Sequence, residues 1–450
     1  MRVPRPLTLA LFAVGIACGD TAPARDQWLV RIETDAPVPL LGDQLLVSVL
    51  GPDGGPYCSS CQRIFSVSKA SDFPISFGIL QQGSAPGAAP LVRARLFRSR
   101  NQRADGFPLP ELAIDSLGRL PLAQGVTKIT LGLPSACIGV AADESRALSC
   151  NAADRQLAPA KVLRDETFAT AGTWPEGLDE PCPEAPPSGM VCVPGGLFAL
   201  GESNGNPFFL TIEDLESGVR PERLVRLSPF AIDATETTVA QYDSLVSKDA
   251  VGPRGLLCAA ELDADRPANC VSFTDATAAC VARGLRLPTE AEFEYVAGNR
   301  GLETPFPWGH NPDVCAFATI ARGGTSQECA VNNGRILERR ASAVATGKDQ
   351  TLSGLGTAVS GPVFDLAGNL GEWVLDDGAS YDAPCRTAEL VQRDPLCRIE
   401  ASGARRITRG GSYVSPTINA HVYARNAADS RRAPDVGFRC VKSYGAAGLR

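Results

Sequence analysis

Residues 284–295 read GLRLPTEAEFEY, a stretch in which a basic and apolar segment gives way to an acidic one. Thr289 precedes the acidic part and Glu292 follows three positions later, which is the spacing of a capping box at a helix N-terminus. We therefore predict that a helix begins directly after Thr289. Helix capping accounts for the stretch as scaffold, without any catalytic role.

Seven further short strings in the C-terminal half of the chain are informative together with this stretch. They are MVCVPGGLFALG (190–201), SPFAIDATETTVAQY (228–242), CVSFTDA (270–276), FPWG (306–309), FDLAGNLGEW (364–373), TRGGSY (408–413) and VGFRC (436–440). Together and in this order they resemble the formylglycine-generating enzyme (sulfatase-modifying factor) family. The resemblance implies an α+β, loop-rich fold related to C-type lectins. The 44 glycines and 35 prolines suit such a domain, which needs unusual backbone angles.

The N-terminal part of the chain is β-rich by its pattern. Short alternating runs bounded by turn residues are typical of half-buried strands, and they occur at residues 28–33, 44–50, 91–97 and 126–131. Several strands without a helical period predict a small all-β, sandwich-like domain. We therefore divide the chain into this β-rich domain at 27–136, a Cys-containing Pro/Ala-rich linker at 137–187 and the family-like domain at 188–443.

The first residues have the character of an export signal. Two positive charges precede an apolar stretch that is too short to span a bilayer and has the length of a signal-peptide core. The stretch runs into a cysteine flanked by small residues, which resembles the lipobox of bacterial lipoproteins, although Gly15 stands where Leu is usual. We predict a lipoprotein signal peptide at 1–18 with Cys18 acylated. Cleavage near Ala17 or Ala24 without a lipid is the alternative.

Composition limits the compartment and the partners. Acidic residues outnumber basic ones, 50 against 43, so the chain has no broad positive field for nucleic acid. The export signal and the 15 cysteines place the chain outside the cytoplasm, in the periplasm or at the outer membrane or cell surface. The expected partners are a membrane, through the lipid anchor, and an unknown protein or glycan ligand.

The cysteines predict a set of disulfides. If Cys18 is acylated, 14 remain, and most of them lie in close pairs: Cys58 with Cys61, Cys137 with Cys150, Cys182 with Cys192, Cys258 with Cys270, Cys315 with Cys329, and Cys385 with Cys397. Small loop size favours these pairs, but spacing alone does not fix connectivity. Cys280 and Cys440 are left over, and they fall where the resembled family has a long-range disulfide. Cys58 and Cys61 have the spacing of a redox pair, but no thioredoxin-like βαβ pattern surrounds them, which favours a structural bond.

The resemblance also implies a calcium site. Asp365, Gly368, Leu370 and Glu372 have the i, i+3, i+5, i+7 spacing of the family's calcium loop, where side-chain oxygens and main-chain carbonyls converge. Hard oxygen ligands favour calcium. Gly371 replaces the aromatic residue that the family has before this glutamate. The alternative is that the two carboxylates are merely solvated or hydrogen-bonded in a turn.

The residues expected for catalysis are missing. The family's enzyme oxidises a substrate cysteine to formylglycine with two active-site cysteines, copper and oxygen, and the matching positions here are Ser415 and Ala420. Neither side chain offers the soft thiolate that copper(I) prefers, so no copper is expected. Ser412 and His421 remain as candidate residues of the cleft.

An iron centre, as in relatives that use this fold with non-haem iron, is not expected either. The chain has only two histidines, His310 and His421, which lie 111 positions apart in unrelated motifs. A lone histidine in the cleft is more often a hydrogen-bonding group than a ligand. The leading hypothesis is a non-catalytic binding or scaffold protein. The alternative is a divergent enzyme of the formylglycine-generating or non-haem iron family that acts on exported proteins.

Overall fold

The structure is a computed structural model. It describes residues 25–52, 54–81, 89–202, 222–258, 260–323, 327–332, 335–336, 340–344, 361–386, 390–399 and 405–444. Cys18, the predicted site of acylation, lies outside these residues.

Two β-sheets that share one core form the N-terminal region. Their strands are β1 (Gln27–Thr34), β2 (Gln44–Leu50), β3 (Gln62–Ser66), β4 (Ile75–Leu80), β5 (Leu91–Phe97), β6 (Ile114–Arg119) and β7 (Val126–Leu133). The sheets have the strand orders β4-β1-β7 and β3-β2-β5-β6. Trp28, Val30 and Ile32 alternate along β1 and pack against Val47 and Leu96 of the other sheet. The prediction of an all-β, sandwich-like N-terminal domain is confirmed.

Residues 137–187, expected to be a linker, lie against these two sheets. The segment forms the short strands β8 (Leu148–Cys150) and β9 (Leu157–Pro159). Trp174 is buried in the core that the two sheets share. The backbone of Leu163 donates to that of Arg119 at the end of β6. The segment is therefore in contact with the sandwich along much of its length.

The C-terminal region consists of short strands and a few helices joined by loops. Its strands are β10 (Met190–Val193), β11 (Gly196–Leu200), β12 (Arg223–Leu227), β13 (Phe230–Asp233), β14 (Val331–Asn332), β15 (Arg335–Ile336), β16 (Gly371–Asp377), β17 (Val391–Arg393), β18 (Arg406–Arg409), β19 (Arg425–Ala428), β20 (Val436–Gly437) and β21 (Val441–Ser443). Its helices are α1 (Val239–Val246), α2 (Phe273–Ala282), α3 (Glu290–Ala297) and α4 (Val314–Phe317). This α+β, loop-rich architecture is the predicted one.

The described residues of the C-terminal region form four small sheets. Their strand orders are β10-β13-β21, β11-β12-β17, β14-β15 and β19-β18-β16-β20. The four-stranded sheet matters most for the site, because β16 and β18 carry the FDLAGNLGEW and TRGGSY strings into its centre.

The helix α3 begins where the sequence predicts. The hydroxyl of Thr289 accepts from the backbone N–H of Glu292 at 3.1 Å, and the carboxylate of Glu292 accepts from the backbone N–H of Thr289 at 2.8 Å. This reciprocal pair is the capping box. All eight residues of α3 are buried, so the carboxylates of Glu290 and Glu294 enter the interior.

Glycines set the turns at two functional strings. Gly410 has φ +84°, and a Cβ there would lie 2.8 Å from the carbonyl oxygen of Leu366. Gly368 has φ +88°, and a Cβ there would lie 2.6 Å from the carbonyl oxygen of Thr319. Only glycine combines this backbone angle with such a close approach.

Seven disulfides crosslink the described residues. They join the six expected close pairs, and Cys280 is bonded to Cys440 across 160 positions, so the expected pairings are confirmed. This number of disulfides is compatible with an extracytoplasmic protein, because disulfides persist in oxidising compartments. Within the described part of the chain, no helix has the length and apolar character needed to cross a membrane.

Candidate functional site

A buried ionic network lies beneath the turn that the family uses for catalysis. Glu290 of α3 accepts from Arg386, Arg409 and Arg425 at 2.6 to 2.8 Å. Arg409 also donates to Glu294 at 2.5 Å. Burial opposes the ionisation of Glu290, but the three guanidinium groups together lower its pKa to about 2. Glu290 therefore remains ionised, and its ion pair with Arg409 holds the start of the TRGGSY turn against α3.

The two candidate serines of the cleft are bonded to each other within this turn. The backbone N–H of Ser412 donates to the hydroxyl of Ser415 at 2.9 Å, and the two hydroxyl oxygens lie 3.1 Å apart. The hydroxyl of Ser412 also donates to Asp435 at 3.0 Å. These bonds engage Ser415, the first of the two family cysteine positions, inside the turn.

Ala420, at the second family position, lies in an apolar cluster. Its exposed fraction is 1%, and the cluster also contains Phe306, Trp308, Ile320 and Cys329. Cys329 is bonded to Cys315. A reactive group at this position would be surrounded by ring and methyl groups rather than by donors or cations.

Both histidines line one cavity of about 670 Å³, although their motifs are far apart in sequence. His421 is buried between aromatic rings, with Phe306 at 4.6 Å and Tyr423 at 5.2 Å between ring centres. Burial lowers the pKa of His421 to about 4, so this imidazole is neutral at pH 7. His310 is exposed. The two histidines lie in unrelated motifs of the sequence, but the fold brings both to the wall of the same cavity.

The same cavity has lining residues that sequence reasoning missed. Arg100 comes from the loop between β5 and β6 of the N-terminal region, Glu202 follows β11, and Glu303 follows α3. Arg100 pairs with Glu202 at 3.0 Å and with Glu303 at 2.6 Å. None of these three residues lies in one of the quoted family strings, so no motif in the sequence pointed to them.

The residues predicted to bind calcium lie beside a second buried cluster of charges. Both oxygens of Glu372 accept from Arg439 at 2.6 Å. Asp365 is 2% exposed, and the carboxylate of Glu236 accepts from the side chain of Asn369 and the backbone of Leu370, at 2.6 and 2.9 Å. Glu236 and Arg439 were not among the predicted site residues, although both lie in the quoted strings.

This second cluster has more buried carboxylates than cations among the described residues. Burial raises the pKa of Glu236 well above its usual value, and the neighbouring Asp365 and Glu372 raise it further. Burial also raises the pKa of Glu372, against the opposing effect of Arg439. A divalent cation with oxygen ligands would relieve this repulsion. Both oxygens of Glu372 already accept from Arg439, and the described acidic side chains are not grouped in threes around a metal position. The cluster includes a glutamate that sequence reasoning had not placed there.

Copper and iron fit less well. Ser415 and Ala420 supply no thiolate for copper. Across the described ranges, no three or more His, Cys, Asp or Glu side chains are grouped so that they could hold a metal ion, although His310 and His421 share the cavity. Main-chain carbonyls, which the calcium loop of the family uses, are a separate kind of ligand.

Comparison with known proteins identifies the class of this fold. The family described as the sulfatase-modifying factor enzyme 1-like domain matches residues 176–444. The chain therefore belongs to the sulfatase-modifying factor family.

Individual relatives carry the name of the family's enzyme. The chain is 30% identical to the formylglycine-generating enzyme of Streptomyces coelicolor over 329 residues, which cover 61% of this chain and 96% of that protein. It is 26% identical to the formylglycine-generating enzyme of Bos taurus, over 58% of this chain and 76% of that protein. The structure of PvdO from Pseudomonas aeruginosa aligns with a TM-score of 0.43 at 22% identity, covering 57% of this chain and 94% of that chain.

Proposed function

We propose that this chain is an exported, lipid-anchored binding or scaffold protein that has kept the sulfatase-modifying factor fold without its cysteine oxidation. The observation that carries the proposal is the state of the two family cysteine positions. Ser415 is hydrogen-bonded within its own turn, and Ala420 is packed among aromatic and aliphatic side chains. Loops on a rigid scaffold are common recognition surfaces, so the ligand is expected to be a molecule that these loops contact.

Chemistry argues against copper-dependent oxidation here. The reaction needs thiolates that hold a soft metal ion and engage the substrate thiol. A serine hydroxyl remains protonated near neutral pH, because its pKa is far above that of a thiol, and an alanine methyl has no lone pair to donate. The nearest cysteines in the cluster around Ala420 are Cys315 and Cys329, which are bonded to each other.

Calcium is proposed as a structural ion in the loop of residues 365–372. Asp365 and Glu372 would supply side-chain oxygens, and Gly368 and Leu370 would supply main-chain carbonyls. Glu236 lies beside this set and would gain from the added positive charge, since Asp365 and Glu372 both raise its pKa. The ion would stabilise the loop that leads into β16.

Membrane attachment through Cys18 is part of the same proposal. Acylation of Cys18 with two or three chains would hold the protein firmly, whereas a single chain binds only marginally. The other 14 cysteines are bonded to one another in the described structure, so none of them is left as a disulfide partner for Cys18, which supports its acylation. Mass spectrometry of the mature N-terminus tests the anchor, and a mature chain that starts elsewhere would refute it.

The second candidate function is a divergent enzyme of the same family. It is favoured by the cavity that contains both histidines, Glu202 and Glu303. A cavity of this size with neutral His421 in its wall is compatible with proton transfer to or from a bound substrate. A genomic neighbour such as a sulfatase gene or a secretion cluster would favour this alternative.

The decisive experiment supplies a sulfatase-type cysteine peptide together with copper and oxygen. Wild type, the single variants and the Ser415→Cys, Ala420→Cys double variant are incubated, and the aldehyde is measured by mass. We expect no product from wild type. Product from wild type would overturn the binding role. Product only from the double variant would show that wild type has kept the shape of the active-site cleft but lost the cysteines needed for the reaction.

A further inference from the structure

We propose that the cavity of about 670 Å³, which is lined by the C-terminal domain and by Arg100 of the N-terminal region, binds a small organic cation, an amine with an apolar or aromatic body. This inference deepens the proposed binding role and rests on it. The volume lies in the range of small-molecule sites, which are usually apolar pockets with a few placed polar groups. Arg100, Glu202, Glu303, His421 and Tyr423 define its chemistry.

The charges of the side chains around the cavity favour a cationic ligand. In the described structure, the ion pairs at this domain boundary join the carboxylates of Glu202, Glu222 and Glu303 to the guanidinium groups of Arg98 and Arg100. Among these described side chains, three carboxylates and two guanidinium groups sum to one negative charge in excess. The Oε1 atom of Glu303 is buried and accepts no hydrogen bond within the part of the chain that is described. A cation in the cavity would compensate this excess charge electrostatically, without direct contact with the buried Oε1 atom.

The remaining carboxylate in the wall does not change this balance. Glu294 accepts from Arg409 at 2.5 Å and from the backbone N–H of Gly201 at 2.6 Å. Its charge is thus compensated by a guanidinium group that faces α3. The excess negative charge therefore lies on the side of the cavity that is formed by Glu303 and by the loop that carries Arg100.

The aromatic rings in the cavity wall favour a ligand with an apolar or aromatic group. His421 and Tyr423 are stacked at 5.2 Å with an angle of 28° between their planes, and both line the cavity. Pro305 and Val422 extend this wall with apolar surface. An aromatic or aliphatic body packs on such a wall, and a nearby ammonium group gains from the ring faces.

The N-terminal sandwich contributes charged side chains to this site. Arg98 and Arg100 belong to the N-terminal region, whereas their three acidic partners belong to the C-terminal region. The side chains of Arg98 and Glu222 are 10% and 6% exposed, so this pair is largely removed from solvent. Loss of the ion pairs that Arg100 makes with Glu202 and Glu303 would change the distribution of charge in the cavity.

The test measures three probes of similar shape and different charge. Phenethylamine, 2-phenylethanol and phenylacetate are titrated into the full chain by calorimetry at pH 7. We expect phenethylamine to bind at least tenfold more tightly than the neutral alcohol, and phenylacetate to bind least. Equal affinity for the three probes, or tighter binding of phenylacetate, would overturn the proposal.

Two variants locate the binding. Glu303→Gln removes the charge in excess, and we expect the affinity for phenethylamine to fall at least tenfold. Glu166→Gln, at an exposed residue outside the cavity, is the matched control and should leave the affinity unchanged. Should Glu303→Gln fail to fold, Tyr423→Ala removes aromatic wall without touching the ion pairs, and unchanged affinity in that variant would also refute the site.

The outcomes separate this inference from the proposed function. Failure of amine binding removes the ligand class and leaves the absence of cysteine oxidation untouched. Formation of the aldehyde by wild type removes the binding role, whether or not the cavity accepts an amine.

Discussion

The C-terminal domain buries two clusters of charge that differ in their balance. Around Glu290, three carboxylates of α3 and β16, Glu290, Glu294 and Asp376, meet the guanidinium groups of Arg386, Arg409 and Arg425. Around Glu372, the described structure places Glu236 and Asp365 nearby and pairs Glu372 with Arg439. The strand β16 contributes Glu372 to one cluster and Asp376 to the other.

This difference in charge balance has different consequences for the two clusters. A balanced buried network satisfies its own charges, and breaking it leaves an uncompensated charge in the interior. An excess of buried carboxylates instead favours protonation or a bound cation. The comparison therefore favours a role for the Glu290 cluster in the stability of the fold, whereas the excess of carboxylates around Glu372 supports the proposed binding of calcium.

The largest expected effect is on the balanced cluster. Glu290→Gln removes the carboxylate that faces three arginines and should lower the free energy of unfolding by about 3–5 kcal/mol, because the guanidinium groups lose their charged partner. Chemical denaturation measures the loss, which should be the same with calcium and with chelator. Asp429→Asn, in the exposed pair with Arg431, is the control and should produce no measurable change.

The pH dependence of this cluster has a definite sign. The folded-state pKa of Glu290 is about 2, below its unfolded value, so its contribution is fully present above the unfolded pKa. The contribution is lost only as the pH falls from the unfolded pKa through about 2. A wild-type protein whose unfolding free energy falls no faster than that of Glu290→Gln over this range would contradict the ionised network.

A buried group outside both clusters gives the next effect. The pKa of His421 is lowered by burial to about 4 from 6.5, so the unfolded chain binds an additional proton between these values. We expect about 3 kcal/mol of stability, present above pH 6.5, to be lost as the pH falls through this window to about 4. His421→Phe should remove most of this dependence. The exposed His310→Gln is the matched control, and an equal flattening of its profile would show that His421 is not the responsible group.

The smallest expected effect concerns calcium in the unbalanced cluster. At a calcium concentration a hundredfold above Kd, binding should stabilise wild type by about 2.7 kcal/mol. Asp365→Asn should lose most of that gain and change less in chelator, since it removes one proposed ligand. Thermal unfolding in calcium and in chelator measures both. Identical unfolding of wild type under the two conditions would break the contrast between the clusters and leave Asp365 and Glu372 as hydrogen-bonded residues of a turn.

The sequence by itself determined the local features of this protein. The capping box at Thr289, the alternating strands of the N-terminal sandwich and the family strings are written in residues that lie a few positions apart. Close cysteine pairs belong to the same group, because a short loop brings its ends together at a small entropic cost. Such local signals can be read from a single sequence, and they predicted both the α+β fold and the family.

Only the tertiary structure decided which distant side chains meet. Arg100 and Glu303 come from different domains, and His310 and His421 come from strings with no shared pattern, yet all four line one cavity. Glu236 lies beside Asp365 because β13 pairs with β10 and β21 and its following turn reaches the loop before β16. Contacts of this kind depend on how loops of irregular backbone pack over a core. No periodicity along the chain encodes them, so the charge balance of each buried cluster is known only from the fold.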